Sequence, residues 1–258
     1  LFFIYGVSYC KKGRGFDKNQ IRMSEIDLRL GDCLEVMKTI EDNSIDAIIT
    51  DPPYGTTACK WDSVIDFDLM WEQLNRVIKP NGAIVLFGSE PFSSALRMSN
   101  IKNYKYDWIW DKKLAGNAIN AKRHPLKIHE IISIFNSKIY IPQKTKGKMR
   151  KKMGFTNQPK HIGKVDEAKE TMNDLYYPKS IQDFTMANLR RNRLHPTQKP
   201  IELMEYLIKT YTNKNETVLD FTMGSGTTML ACKNLNRNGI GIEKDPQYYA
   251  VAVARVDG

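Results

Sequence analysis

A chain of 258 residues, 41% of them hydrophobic, can bury one large α/β core without metals or disulfides to hold it. Its net charge of +10 and pI near 9.3 point to a polyanionic partner. The dispersed cysteines, Cys10, Cys33, Cys59 and Cys232, and the histidines, His124, His129, His161 and His195, form neither a disulfide framework nor a zinc-ligand spacing, which suits a reducing cytoplasm and argues against a metal site.

The apolar run 1–10 has about half the length that crosses a bilayer. Its basic residues, Lys11, Lys12 and Arg14, follow it, and no small-residue cleavage site appears, so neither a membrane anchor nor a secretory signal is expected. Residues 1–22 are expected to be a dispensable extension, because patterned sequence begins just after Met23.

From Ile26 strand and helix signals alternate, the mark of a doubly wound sheet. A strand over 26–30 ends in Gly31-Asp32-Cys33, a helix follows over 34–40, and a β-branched, apolar strand over 46–50 runs into Asp51-Pro52-Pro53-Tyr54. Phe67, Met70, Trp71, Leu74 and Ile78 recur at helical spacing, and Pro80-Asn81-Gly82 should end that helix. Strands are expected over 83–87, 104–110 and 130–135, with a helix over 90–98 opened by Pro91. Trp108 and Trp110 fall near a sheet end, where they would either line a pocket or pack in the core.

The Asp51 loop is where chemistry is expected. Open α/β sheets bind ligands outside the carboxyl ends of their strands. Two consecutive prolines fix φ twice and hold the Asp51 carboxylate and the Pro52 carbonyl with little freedom. Rigid acceptors beside the Tyr54 ring make a slot for a flat molecule with an NH2 group. The exocyclic amine of adenine or cytosine is a poor nucleophile, because its lone pair is delocalised into the ring. Accepting its two N–H groups favours a pyramidal nitrogen that can attack an electrophile, an interaction strongest in the transition state. Tyr54 would stack on the base, a contact worth roughly 1 to 3 kcal/mol.

Residues 137–194 break the pattern. They hold 14 Lys and Arg against five Asp and Glu, so nearly all of the net charge lies there. Tyr140, Phe155, Tyr176, Tyr177 and Phe184 are interleaved with the charges, a mixture suited to phosphate contacts with occasional base contacts. Lys148, Arg150, Lys151, Lys152, Arg190, Arg191 and Arg193 are the expected nucleic-acid contacts. Regular patterning resumes at Pro200, where a helix presents Leu203, Met204, Leu207, Ile208 and Tyr211 on one face.

A strand over 217–220 leads into Phe221-Thr222-Met223-Gly224-Ser225-Gly226-Thr227-Thr228, a Gly-x-Gly turn before a helix over 229–235. Such a turn lets the backbone approach a ligand and aims helix N–H groups at it. It is not a phosphate loop, because no Gly-Lys-Ser/Thr follows. A strand over 239–242 then ends in Glu243, about 20 residues beyond the glycines and placed to hydrogen-bond a ribose diol. Asp245-Pro246 should open the last helix.

With these motifs in this order the chain resembles the DNA amino-methyltransferases of the N4-cytosine/N6-adenine type, in their permuted β-group arrangement: catalytic motif first, recognition segment next, cofactor glycines last. The resemblance covers most of residues 26–254 and implies a doubly wound, mostly parallel seven-strand sheet with S-adenosylmethionine as cofactor. It implies catalytic roles for Asp51, Pro52, Pro53 and Tyr54. It places Asp220, Phe221, Gly224, Ser225, Gly226 and Thr227 on the cofactor motif, Glu243 on the ribose, and Asp32 with Cys33 beside the cofactor adenine. His195-Pro196-Thr197-Gln198-Lys199-Pro200 matches the segment before the cofactor strand, with Lys199 as partner for the methionine carboxylate. Residues 23–258 would form the methyltransferase domain and 137–194 its inserted target-recognition region. Double-stranded DNA would be the partner of a monomer or homodimer, its target base flipped from the stack. Aspartate at position 51 is commoner among adenine-N6 than cytosine-N4 enzymes of the family. The alternatives are cytosine-N4 methylation, an RNA or protein methyltransferase, and a catalytically silent DNA-binding protein.

Overall fold

The computed structural model describes residues 24–55, 63–115, 118–152, 171–186, 194–195 and 198–258. The expected extension 1–22 and the side chains of Lys152, Arg190, Arg191 and Arg193 lie outside the described residues. The first half comprises β1 (Ile26–Leu30), α1 (Cys33–Met37), β2 (Ile45–Thr50), α2 (Phe67–Val77), β3 (Ile78–Gly88), α3 (Phe92–Ser99), β4 (Tyr104–Asp111) and β5 (His129–Phe135). Then follow β6 (Thr145–Lys152), β7 (Thr171–Tyr176), β8 (Ile181–Asp183), α4 (Ile201–Tyr211), β9 (Thr217–Asp220), α5 (Thr227–Leu235), β10 (Asn238–Glu243) and α6 (Pro246–Asp257).

The main sheet has the order β1-β10-β9-β2-β3-β5-β4-β8. Its pairings are parallel except where β5 meets β3 and β4, so β5 runs against the other strands. Successive residues of a strand face opposite sides of a sheet, and the centre obeys this. Ile48, Ile84, Leu86 and Leu219 pack with Met37 of α1, Met70, Trp71 and Leu74 of α2, and Leu96 of α3. Ala47, Ile49, Val85, Phe87 and Val218 pack with Leu203, Leu207 and Ile208 of α4, Met229 of α5 and Val256 of α6. Fully burying a Leu or Ile stabilises by roughly 1.5 to 3 kcal/mol, and β2, β3 and β9 are buried on both faces. Among the described residues no helix is long and apolar enough to cross a membrane.

Three expectations need correction. The sheet has eight strands where seven were expected, because β8 pairs with β4 through Ile109↔Ile181 and Asp111↔Asp183. Three residues, Ile-Gln-Asp, are too few to show a strand period. The segment 137–194 is therefore not wholly an insertion. β8 belongs to the main sheet, and near the segment's start the Ile141 N–H donates to the Thr210 carbonyl of α4 at 2.9 Å. Among the described residues only β6 and β7 stand apart, as an antiparallel ribbon. Finally, α2 ends at Val77 and Pro80-Asn81-Gly82 lies inside β3. Ile45 pairs with Ile78, and a register shift precedes the next pair, Ala47↔Ala83; an irregularity of this kind is where a strand tolerates proline.

Candidate active site

The Asp51 loop and the glycine turn meet because their strands are neighbours. Ala47 pairs with Val218 and Ile48 with Leu219, so β2 and β9 deliver Asp51 and Phe221-Thr222 side by side at the sheet's carboxyl edge. The Thr50 hydroxyl donates to Asp220 Oδ1 at 2.6 Å and the Thr222 hydroxyl to the Asp51 carbonyl at 3.1 Å. A cavity of about 560 Å³ opens over this junction. Asp51, Pro52, Pro53 and Tyr54 line it, as do Asp32, Cys33, Lys199, Asp220, Phe221, Gly224, Ser225, Thr227 and Glu243.

Local chemistry explains the cavity walls. Gly224 and Gly226 have φ of 53° and 73°, left-handed values that glycine adopts without a Cβ penalty. The turn is fastened by Glu243, whose Oε2 accepts the Gly224 N–H at 2.9 Å while Oε1 accepts that of Asp245 at 2.8 Å. An ionised carboxylate has about four lone-pair sites, so two such bonds leave acceptor capacity for a diol. Burial raises the Glu243 pKa against these backbone bonds. Asp32 caps α1 by accepting the Leu34 N–H at 3.0 Å and meets Lys244 Nζ at 3.1 Å. The Cys33 thiol is pushed up to about 12 by burial and then by Asp32, so it is a wall and not a nucleophile.

Asp51 is held from both sides. Tyr54 donates its hydroxyl to Oδ1 and Lys199 its ammonium to Oδ2. The Tyr54 ring leans on Phe92, with centroids 5.0 Å apart and planes at 30°. Lys199 also lies 3.4 Å from Glu130 Oε2, and Lys112 Nζ reaches Glu130 Oε1 at 3.1 Å. Burial opposes the Lys199 charge, but Asp51 and Glu130 outweigh it and hold its pKa above the ordinary lysine value. For Asp51, burial pushes the pKa up, Lys199 opposes it and Glu130 reinforces it.

Two expected cofactor residues have close protein neighbours of their own. Lys199 lines the cavity, but its ammonium is directed to Asp51 and Glu130, because two protein carboxylates converge on it where a ligand carboxylate was expected. Gly226 does not line the cavity; a Cβ there would meet Ala252 Cβ at 3.0 Å, so its smallness lets α5 approach α6. Trp108 and Trp110 both belong to the core, their indole N–H groups donating to the Tyr211 hydroxyl at 2.7 Å and the Phe184 carbonyl at 2.8 Å. Lys148, Arg150 and Lys151 are exposed on β6, away from the cavity lining.

Sequence reasoning missed Glu130 and Lys112, which carry no motif of their own, and the wall made by Tyr248; it named His195 within the segment 195–200 but gave it no role. Those two rings stack edge-on at 4.1 Å, and a Cβ on Gly224 would lie 3.6 Å from the His195 ring.

Comparison with known proteins agrees with this geometry. The profile of a DNA methylase family of the N6/N4 type matches residues 45–254. Type II methyltransferase M.HpaI of Haemophilus parainfluenzae is 31% identical over 250 residues, covering 90% of this chain and 75% of that protein. M.HinfI of Haemophilus influenzae, also a Type II methyltransferase, is 28% identical over 254 residues, covering 88% and 67%. The structure of the M1.HpyAVI-SAM complex aligns with a TM-score of 0.60 at 29% identity, covering 89% of this chain and 99% of that one. The cytosine-N4-specific PvuII DNA methyltransferase shares the fold, with a TM-score of 0.62 at 17% identity and coverage of 90% and 86%. With a family match running from β2 to α6 and both expected motifs converging on one cavity, the chain belongs to the N6/N4 DNA methylase family.

Proposed function

We propose that the protein transfers a methyl group from S-adenosylmethionine to the N6 amine of a flipped adenine in double-stranded DNA. The observation that carries this reading is the placement of Asp51 beside the glycine turn, in one cavity and joined by the Thr222 hydroxyl. The cavity's donor set fits the cofactor: Glu243 retains acceptors for a ribose diol, and Asp32 and Phe221 line the same space. S-adenosylmethionine supplies an electrophilic methyl group on a sulfonium sulfur, which departs as a neutral thioether keeping the bonding electrons. Asp51 Oδ and the Pro52 carbonyl accept the two N–H groups of the target amine and aim its lone pair. As the N–CH3 bond forms, the carboxylate of Asp51 takes the proton that the nitrogen sheds. Tyr54 keeps the Asp51 carboxylate oriented and offers its ring to the base.

Residues 23–258 form the methyltransferase unit in this reading, and the basic ribbon β6–β7 is its DNA-recognition part, with Lys148, Arg150 and Lys151 as phosphate contacts. Aspartate at position 51 supports adenine over cytosine, and the Type II methyltransferase names of the relatives support action on DNA. The test incubates the protein with labelled S-adenosylmethionine and duplex DNA, then digests the product to nucleosides for mass spectrometry. N6-methyladenine is expected, whereas N4-methylcytosine would overturn the choice of base. Asp51→Ala should lower kcat by about 100-fold or more, the scale of removing a transition-state acceptor, with cofactor affinity measured by calorimetry retained. Near-normal turnover of that variant would refute the assigned role.

A further inference from the structure

β5 is the strand of the main sheet that runs backwards, so its first residues, His129 and Glu130, arrive at the edge where the other strands end. Glu130 there meets two cations: Lys112, just past β4, at 3.1 Å from Oε1, and Lys199, just before α4, at 3.4 Å from Oε2. Its Oε2 is buried without a hydrogen-bond partner, so its contact with Lys199 is one of charge and not of hydrogen-bond geometry. Lys199 sits closer to Asp51, with its ammonium also over the Phe87 ring, 5.0 Å from the centroid. Two carboxylates and two ammoniums thus form a balanced, partly buried chain, Lys112-Glu130-Lys199-Asp51, in which Lys199 is the buried member. Glu130 does not line the cavity over Asp51, so in this reading it acts through Lys199 and not on the reacting atoms.

We propose that Glu130 is a positioning residue for methyl transfer: it draws part of the Lys199 charge away from Asp51 and so sets how strongly Asp51 accepts the target amine and its proton. The inference rests on the amine-methylation reading above. A carboxylate pressed by an undivided ammonium is a weaker acceptor and a weaker base. Asp51 must be both, because it accepts an N–H in the approach and the proton once the N–CH3 bond has formed. Among the described residues, Tyr54 from the Asp51 loop donates to Asp51, Asp220 from β9 acts on it through charge, and His195 lines the same cavity. None of these can take the place of Glu130 on the far side of Lys199. A buried ion chain can also be purely architectural, and the two roles separate by sign.

Glu130→Gln removes the charge and keeps the shape. Expected are a fall in kcat of about tenfold or more, a calorimetric Kd for S-adenosylmethionine within about twofold of wild type, and an acid limb of the kcat profile moved to lower pH. Lys112→Met releases Glu130 to draw Lys199 further from Asp51, so the acid limb should move to higher pH. Glu130→Asp, which keeps the charge, should return the limb toward its wild-type position. Limbs that stay in place, or that move the same way in Gln and Met variants, would overturn the proposal as a packing effect. If Glu130→Gln fails to fold, Lys112→Met decides alone, an upward limb supporting the role and any other result removing it. Wild-type transfer to DNA is measured first: its absence would remove the methylation reading itself, while an active wild type with unmoved limbs removes only the role of Glu130.

Discussion

Asp220 shows how one side chain serves both architecture and site. It accepts the Thr50 hydroxyl at 2.6 Å, the Thr228 hydroxyl at 2.5 Å and the Thr222 N–H at 3.2 Å, which ties β2, β9 and α5 together beneath the cavity. Burial nevertheless raises its pKa to about 6 against those bonds, with Asp51 adding to the rise. The folded chain therefore binds this proton more tightly than the unfolded one. The associated stability is fully present below the ordinary carboxylate pKa and is lost as pH rises through about 6, a change of about 3 kcal/mol. Asp220→Asn removes the titration, so its stability relative to wild type should climb by about that amount between about pH 3.5 and 7. Urea unfolding at a series of pH values measures the difference, and a flat difference would mean that Asp220 titrates as an ordinary carboxylate. At this scale the acids at strand tips, Asp51, Asp220 and Glu243, were legible in the sequence, because each follows an apolar strand. The direction in which Lys199 points was not, since it depends on carboxylates from two other strands.

The elements divide according to how much local pattern they carry. α2 and α4 follow from apolar residues at helical spacing, and β2 and β9 from short apolar runs closed by a turn. β8 could not be read, because its pairing with β4 and not its composition makes it a strand. The ribbon β6–β7 is likewise a tertiary product: two-stranded ribbons are marginal alone, and this one is braced by the Tyr176 hydroxyl, which donates to the Lys148 carbonyl at 2.7 Å, and by Arg150 over the Tyr176 ring at 5.2 Å. A two-stranded ribbon is of a size that the major groove admits. Replacing Lys148, Arg150 and Lys151 together by Gln should weaken DNA binding and reduce the slope of log K against log salt by about 2 to 3. Binding titrations over a range of salt concentrations test this, and an unchanged slope would place those side chains off the DNA path.

On the scale of the whole molecule the cavity bridges both halves of the chain, with β1 and β2 on one side of the sequence and β9 and β10 on the other, all in one sheet. A ligand held there stabilises the entire cooperative unit. S-adenosylmethionine at about 100 times its Kd should add about 2.7 kcal/mol and raise Tm by about 5 to 10 °C for a chain of this size. Asp51→Ala should keep that shift in a thermal melt if, as proposed, Asp51 serves the base side of the cavity; loss of the shift would assign Asp51 to cofactor binding. The sequence by itself determined the fold class, the two strand-end motifs and the concentration of charge in 137–194, because period, turn chemistry and charge are local properties. Only the tertiary structure decided that β5 runs backwards and brings Glu130 to the edge where the Asp51 loop lies, that Lys199 answers to Asp51, and that β8 joins the sheet. Strand direction and pairing are chosen by packing across the whole sheet, and no window of residues records them.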